Sequence, residues 1–342
     1  MLIINEIIIL LILIFLINFF SKKWNILLDN KYSKHKTFSS SDSTPLTGGI
    51  FFLIVLIIYF PHNFYLIKFF FFLIFLLGLF SDLNLVSSPK KRIIFQIIII
   101  GGFAIISDNY INSIRIDMFD NYLDNLYVKL SFTVFCYLVL INGSNFIDGM
   151  NSLLLGYFSL VLAILTILAY KNNLNLEIDF LIKILILMMI LTTLNFFGLL
   201  FAGDNGAYLI SFIVGYFLIK FSNENLIVSP YFIVSLLWYP AYENLFSIIR
   251  KKISSSNAFN ADSNHLHQII FRYVKKKLNL NQSFCNNSTS LIINTFNLII
   301  FYFAFINYNH TMSLVLIIIF AVLVYNLTYF ILLKKLSRLK DL

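Results

Sequence analysis

The chain has few charges and very little cysteine. Only 12 % of its 342 residues are Asp, Glu, Lys or Arg, against about 25 % in ordinary soluble proteins, and 59 % are hydrophobic. This composition excludes a soluble globular protein. Cys136 lies in an apolar run and Cys285 in a predicted cytoplasmic loop, so we expect neither a disulfide nor a cysteine metal site.

Several familiar signals are also absent. The first apolar run includes Glu6, has no preceding Lys or Arg, and is not followed by a small-residue cleavage site, so a cleaved signal peptide is not predicted. No Gly-rich loop carries the Lys of an ATPase, and no nucleophilic Ser or Cys motif occurs. The sequence shows neither internal repeats nor a soluble domain.

Long apolar runs take up most of the chain. Runs of about 18 or more apolar residues predict membrane-spanning helices. We therefore predict an all-α integral membrane protein that forms a single membrane domain over 1–342. Its eleven predicted spans are 2–20, 47–60, 65–80, 92–107, 129–142, 151–169, 179–200, 206–221, 226–247, 290–306 and 312–333.

The positive charges predict an orientation. Most of the 25 Lys and Arg lie in alternate loops and after the last span, which places the N-terminus outside and the C-terminus in the cytoplasm. The net charge of +9 then reflects topology, and we expect no nucleic-acid partner. In the outer loop 108–128, residues 114–116 are predicted to form a small strand. The predicted cytoplasmic active-site loops are 21–46, 81–92, 142–151, 202–207 and 248–289.

Five polar islands fall on the predicted cytoplasmic side. The central island, 142–151, lies between apolar runs and holds Asp148 with Asn142, Asn145 and Asn151. Polar groups at a membrane edge are costly and therefore indicate a site, although Asn and Gly are also common in connecting turns. The other islands are 44–50, 81–92, 203–206 and 265–267. Together they offer carboxylates, amides, imidazoles and cations, a set that suits a magnesium-bound diphosphate.

In order and spacing, the islands resemble the motifs of the polyprenyl-phosphate N-acetylhexosamine-1-phosphate transferases, glycosyltransferase family 4. The related phospho-N-acetylmuramoyl-pentapeptide transferase shares this superfamily. The resemblance covers about 29–277. Its residues are Thr44-Pro45 with Gly48-Gly49-Ile50; Gly78, Asp82, Ser88-Pro89, Arg92 and Gln96; Asn142, Asn145 and Asp148-Gly149; Gly203-Asp204-Asn205-Gly206; and Pro240, Glu243, Asp262, His265 and His267.

The resemblance implies roles for several of these polar residues. Asp204 and Asp148 would bind Mg²⁺, with Mn²⁺ as the alternative metal. His265 and His267 would hold the diphosphate, and Asp82 would position the lipid phosphate; with the two metal ligands they form the expected catalytic set. The expected substrate-binding residues are Thr44, Gly48, Gly49, Asn142, Asn145, Asn151 and Arg272.

Each of these assignments has a simpler alternative. Asp204 would cap the helix that follows it, and Asp82 would merely begin a loop. His265 and His267 would be surface residues, and the segment from Thr44 to Gly49 would only start a helix. The chain also departs from the family pattern. Ser81, Asn151 and Glu243 stand where aspartates are usual, Gln268 replaces a histidine, and Ala207 replaces a serine.

The implied reaction transfers a sugar-1-phosphate from a UDP-N-acetylhexosamine to a polyprenyl phosphate in the bilayer. Its products are the polyprenyl-diphosphate sugar and UMP. This would be the first membrane step of a cell-surface polysaccharide, such as O-antigen lipopolysaccharide or a cell-wall polymer, at the inner (plasma) membrane. The alternative is a non-catalytic, transport or lipid-binding paralogue. The sequence leaves a homodimer open.

Overall fold

The protein folds as a bundle of helices. A computed structural model describes residues 2–29, 43–60, 65–253 and 264–338. Within those ranges thirteen helices form: α1 Leu2–Trp24, α2 Gly48–Tyr59, α3 Tyr65–Asp82, α4 Pro89–Ser107, α5 Asp117–Leu123, α6 Leu126–Ile147, α7 Leu153–Lys171, α8 Ile178–Phe196, α9 Gly203–Glu224, α10 Pro230–Ile253, α11 Leu266–Leu278, α12 Gln282–Ile306 and α13 Thr311–Arg338.

The helices confirm an α-helical membrane protein. Each of the eleven predicted runs coincides with a helix, whereas α5 and α11 fall outside these runs. Eight helices of the described chain are long and apolar enough to cross a membrane, and α2 is a shorter apolar helix. The number of eleven spans and the orientation stay predictions.

Helix α9 forms the centre of the bundle. It packs against α2, α3, α6, α7 and α10, and 83 % of the residues in its apolar 18-residue stretch are buried. Because a helix surrounded on all sides is apolar all round, the buried residues of α9 run almost without a break from Asn205 to Ile219. The first turn of α9 holds Asp204, so the central helix begins at a candidate site residue.

The segments between helices gather at two ends of the bundle. At one end, Asn109 donates to the carbonyl of Tyr216, and Ser229 N–H donates to that of Tyr308. At the other end, Gly48 N–H donates to the carbonyl of Phe201, beside the start of α9. All the polar islands lie at this second end, as far as they are described.

Two local predictions were wrong. Residues 114–116 form a turn and not a strand: Arg115 has φ 55°, and its guanidinium donates to the carbonyls of Leu226 and Val228. The island 142–151 is largely helical, because α6 continues to Ile147. Only the residues after Ile147 form a turn before α7.

Candidate active site

The Asp204 carboxylate joins four helices. Its Oδ2 accepts hydrogen bonds from Ser81 Oγ of α3 at 2.5 Å and from Arg92 Nη1 of α4 at 3.2 Å. Its Oδ1 accepts from Asn145 Nδ2 of α6 at 2.7 Å. The side chain remains 22 % exposed, so the charge is held firmly but still faces open space. Asp204 is therefore the side chain on which polar residues of three other helices converge at this end of the bundle.

Asp82 caps α9 from a neighbouring helix. Its Oδ1 accepts the N–H of Asp204 at 3.0 Å, and its Oδ2 accepts the N–H of Asn205 at 3.0 Å and the Nδ2 of the same residue at 2.6 Å. The first N–H groups of a helix have no partner within it, and a carboxylate there also complements the helix dipole. The alternative in which Asp204 is the cap is therefore wrong. The catalytic role of Asp82 stays a prediction, alongside this positioning role.

Thr44, Gly48 and Gly49 are buried where α2 meets the start of α9. A Cβ on Gly49 would lie 2.1 Å from Asn205 Oδ1 and 2.5 Å from Gly206 N, so only glycine allows this approach. Thr44 Oγ1 donates to the carbonyl of Gly198 at 3.3 Å. These contacts give the motif a packing function, and its predicted role in substrate binding stays untested.

The end of α6 presents amides to two neighbouring helices. Asn142 Nδ2 donates to Gln96 Oε1 of α4 at 2.9 Å, while Asn145 reaches Asp204. Phe146 then lies against the His265 ring, with centroids 4.9 Å apart. One helical turn thus connects Asp204 with residues 264–272, called the histidine segment below.

The turn after α6 is held by asparagines of α8 and α12. The N–H of Asn151 donates to Asn286 Oδ1 at 2.7 Å, and that of Ser152 donates to Asn195 Oδ1. Ser152 has φ 60°, and Asn294 Nδ2 donates to its carbonyl at 3.0 Å. Asp148 ends α6 at the start of this turn. The sequence analysis does not point to Asn195, Asn286 or Asn294, because their distance along the chain from the 142–151 motif follows no recognisable pattern.

The two histidines occupy different environments. His265 Nδ1 lies 2.8 Å from Glu243 Oε1, and its ring stacks on that of His267 at 5.6 Å. His267 is fully buried, and neither of its ring nitrogens has a hydrogen-bond partner. A Cβ on Gly149 would lie 3.2 Å from His267 Nε2. The surface-residue alternative is therefore wrong for both histidines.

Burial also sets the protonation of His267. It lowers the pKa of His267 to about 3, because the charged imidazolium loses water and the nearby Glu243 only partly compensates. His267 is thus neutral at pH 7, with one N–H to donate and one nitrogen to accept. Two unpartnered ring nitrogens beside the Asp148–Gly149 motif make a strong binding element for a polar ligand.

The remaining residues of the histidine segment bind one another. Arg272 Nη2 donates to Asn264 Oδ1 at 3.0 Å, and its Nε donates to the carbonyl of Gln268 at 3.4 Å. Gln268 Oε1 accepts the N–H of His265 at 3.2 Å, which gives the residue at the family's histidine position a function in the start of α11. Asp262 lies outside the described residues.

The side chains at this site suit a metal ion that takes only one or two ligands from the protein and the others from a bound substrate and water. In the described parts of the chain, no group of three or more His, Cys, Asp or Glu side chains gathers as a metal site. Mg²⁺ commonly takes one or two carboxylates and completes its shell with phosphates and water. Asp204 fits this pattern because its Oδ1 accepts one hydrogen bond, from Asn145, and retains a lone pair for a cation, while Ser81 and Arg92 occupy both lone pairs of Oδ2.

The helices and this site define a multi-pass membrane protein with one polar centre at one end of its bundle. The model of the family described as glycosyl transferase family 4 matches residues 63–222. This match agrees with the family that the motifs predict, and it supports a polyprenyl-phosphate sugar-1-phosphate transferase as the general class. A search of curated proteins finds no significant match. The Thr44 and His265 motifs lie outside the matched region.

Proposed function

We propose that the protein transfers N-acetylhexosamine-1-phosphate from a UDP-sugar to a polyprenyl phosphate. An oxygen of the lipid phosphate would attack the sugar-bound phosphorus, the bond to UMP would break, and polyprenyl-diphosphate sugar would form. The observation that carries the proposal is the placement of Asp204 and His267 around one turn, 145–149. Residues 145–149 lie between the Asp204 carboxylate of α9 on one side and the unpartnered imidazole nitrogens of His267 in α11 on the other.

The donor diphosphate would lie between these two centres. Asp204, with Asp148, would hold Mg²⁺ or Mn²⁺, and the cation when bound would neutralise charge on the diphosphate. Arg92, which already lies 3.2 Å from Asp204, supplies a permanent positive charge at the same point. His265 and His267 would hold the phosphate oxygens, while Asn142 and Asn145 would orient the nucleotide or the lipid phosphate.

The acceptor lipid would approach along α4 and α6. An open apolar groove between these helices is lined by Ile97, Gly101, Leu130, Ser131, Val134, Phe135 and Leu138. Ile97 follows Gln96 and Leu138 lies one turn before Asn142, so the groove ends at the hydrogen bond between Gln96 and Asn142. This order suits an amphiphile whose tail lies in the groove and whose phosphate meets the polar centre.

The lipid phosphate would need positioning more than deprotonation. The second pKa of a phosphate monoester is about 6, so the group is mostly a dianion at pH 7. Direct attack and a covalent aspartyl intermediate predict different results when exchange of label between UMP and the UDP-sugar is measured without lipid. Label from UMP would return to the UDP-sugar without lipid only if an enzyme-bound sugar phosphate forms.

One observation favours a second candidate. Ser81 stands where the family resemblance expects a carboxylate, and its hydroxyl is bound to Asp204 and Arg92. A paralogue that binds lipid or sugar nucleotide without catalysis would tolerate such a change. It would bind UDP-sugar in equilibrium measurements and transfer nothing.

The test is transfer of radiolabel by purified protein in detergent or liposomes. We expect labelled UDP-N-acetylhexosamine to yield a lipid-linked product with Mg²⁺, undecaprenyl phosphate and the native protein, and none with heat-treated protein. A panel of UDP-hexosamines and UDP-hexoses identifies the sugar. Absence of product with every donor, together with tight donor binding, would reject the enzyme in favour of the paralogue.

We propose the cytoplasmic face of the inner (plasma) membrane as the place of reaction. The supporting observations are the basic residues near the polar islands and the gathering of those islands at one end of the bundle. The cell-surface polymer that would use the product, O-antigen lipopolysaccharide or a cell-wall polymer, depends on the sugar found in the assay.

A further inference from the structure

Helix α13 carries two buried tyrosines one turn apart. Tyr325 is 1 % exposed and Tyr329 is 2 % exposed, and their rings are nearly parallel with centroids 6.3 Å apart. Much of the rest of α13 is apolar and exposed, as expected for a helix that faces lipid. The two tyrosine hydroxyls both bind side chains of α10.

Tyr325 supports His265 through a buried carboxylate. Its hydroxyl donates to Glu243 Oε2 at 3.0 Å, and Glu243 Oε1 lies 2.8 Å from His265 Nδ1 and accepts the N–H of Leu266 at 3.3 Å. Glu243 is 1 % exposed, so these three donors replace its water shell. A carboxylate can only accept, and His265 Nδ1 therefore carries the proton while Nε2 remains for a ligand.

Tyr329 supports the neighbouring residue through an arginine. Its hydroxyl accepts from Arg250 Nη1 at 2.6 Å, and Arg250 also donates to the carbonyl of Asn264. The two tyrosines thus reach adjacent residues by parallel routes through α10: Tyr325 reaches His265 and Leu266, and Tyr329 reaches Asn264. Two attachments one helical turn apart fix both the position and the rotation of this segment.

We propose that Tyr325, Tyr329, Glu243 and Arg250 form a clamp that positions the His265 imidazole for phosphoryl transfer. The inference rests on the proposed function and assigns a part in it to α13, which lies outside the family match. The four residues act through His265 and are positioning residues. Loss of the Tyr325 hydroxyl leaves the buried Glu243 carboxylate with one partner fewer, and loss of the Tyr329 hydroxyl removes one partner of the half-buried Arg250, so that the histidine segment loosens.

The test compares Tyr325→Phe and Tyr329→Phe with a matched control. Tyr242 of α10 accepts a hydrogen bond from Asn326 Nδ2 of α13 at 2.7 Å, so Tyr242→Phe removes the same kind of contact between the same helices. No residue of the histidine segment takes part in that contact. We expect Tyr325→Phe to lower kcat roughly tenfold, with less than a threefold change in KM, and Tyr242→Phe to stay within twofold of the wild type.

Hydrogen–deuterium exchange gives a readout that does not depend on activity. In Tyr325→Phe and Tyr329→Phe, peptides covering 264–270 should exchange faster, while peptides of α9 stay unchanged. A double-mutant cycle adds His265→Asn. If Tyr325 acts through His265, Tyr325→Phe should cost little further activity in that background.

Three results would overturn the clamp. They are unchanged kcat in both tyrosine variants, unchanged exchange at 264–270, and an equal loss from Tyr325→Phe with or without His265. If the wild-type protein transfers no sugar phosphate, the proposed function fails, and the clamp fails with it as a device for transfer. Hydrogen–deuterium exchange of peptides covering 264–270 still shows, independently of activity, whether the two tyrosines hold this segment in place.

Discussion

At the residue scale, Asp204 is the group on which most contacts of the site converge. Ser81, Arg92 and Asn145 are drawn from three different helices, and all donate to its carboxylate. An uncharged side chain of the same shape would keep the packing but would lose the attraction to Arg92 and to any cation. The amide nitrogen of asparagine would also face one of the existing donors.

Asp204→Asn is therefore expected to lower turnover roughly a hundredfold or more, the scale of losing a principal electrostatic contact. The measurement is transfer rate against Mg²⁺ concentration, with thermal unfolding as a check on folding. Asp120→Asn is the matched control, because Asp120 binds Ser113 and the N–H of Ile114 in the segment between α4 and α5. Turnover close to that of the wild type at limiting Mg²⁺ would contradict a ligand role for Asp204.

Substitution of Ser81 should lower turnover much less than substitution of Asp82. Without the Ser81 hydroxyl, Asp204 retains Arg92 and Asn145, so Ser81→Ala is expected to cost roughly tenfold or less in turnover. Asp82→Ala removes the cap of α9 and should cost far more. Assays from pH 5.5 to 9 should show a flat rate above about pH 7 and a fall below it, as the lipid phosphate protonates. An inactive wild type that Ser81→Asp restores would favour the non-catalytic paralogue.

His267 makes stability depend on pH. Its pKa is about 3 in the folded protein and about 6.5 when unfolded, so only the unfolded chain takes up a proton between these values. This depressed pKa destabilises the fold as pH falls from about 6.5 toward 3. We expect the midpoint of thermal unfolding to drop between pH 7.5 and 5 less in His267→Gln than in the wild type. His310→Gln, at an exposed position, should behave as the wild type does.

At the element scale, the close packing of α2 against the first turn of α9 positions the end of α9 that carries Asp204. Gly49→Ala would place a Cβ within 2.5 Å of the Gly206 nitrogen, and we expect it to destabilise the protein by about 1–3 kcal/mol. Gly101→Ala in α4 is the control, since a Cβ there meets no atom within 4 Å. Thermal unfolding in detergent compares the two. Equal midpoints would mean that α2 can shift without cost.

The sequence predicted the helices better than the contacts between them. Each apolar run lies on a helix because lipid tolerates little else, but α6 extends past its run to Ile147. Its amides are satisfied by Gln96 and Asp204, which a linear pattern cannot show. Likewise, the resemblance implies that Asp82 positions the lipid phosphate, and it gives no sign that this carboxylate binds the start of α9 across 122 residues of sequence. The motifs predicted the polar residues that gather at one end of the bundle, whereas their contacts with residues distant in sequence came from the structure alone.

At the scale of the whole molecule, the two ends of the bundle differ in charge, and the described polar islands lie at only one of them. Single cysteines at positions 40, 87, 257 and 340, in a chain without Cys136 and Cys285, should be blocked by a reagent confined to the cytoplasm. Cysteines at 112, 174 and 309 should react from outside, because the positive-inside rule fixes alternate segments. Labelling of whole cells and inverted vesicles measures both sets. A cysteine at position 87 that reacts only from outside would divide the motifs between the two faces.

The clamp from α13 has a consequence for synthesis. Every motif, from Thr44 to His267, is translated before Tyr325 and Tyr329 leave the ribosome. A nascent chain that has inserted α1 to α12 therefore holds all the chemical groups but lacks the support for Glu243 and Arg250. The histidine segment would gain its final position only when α13 docks, so insertion of that helix would time the onset of activity during membrane assembly.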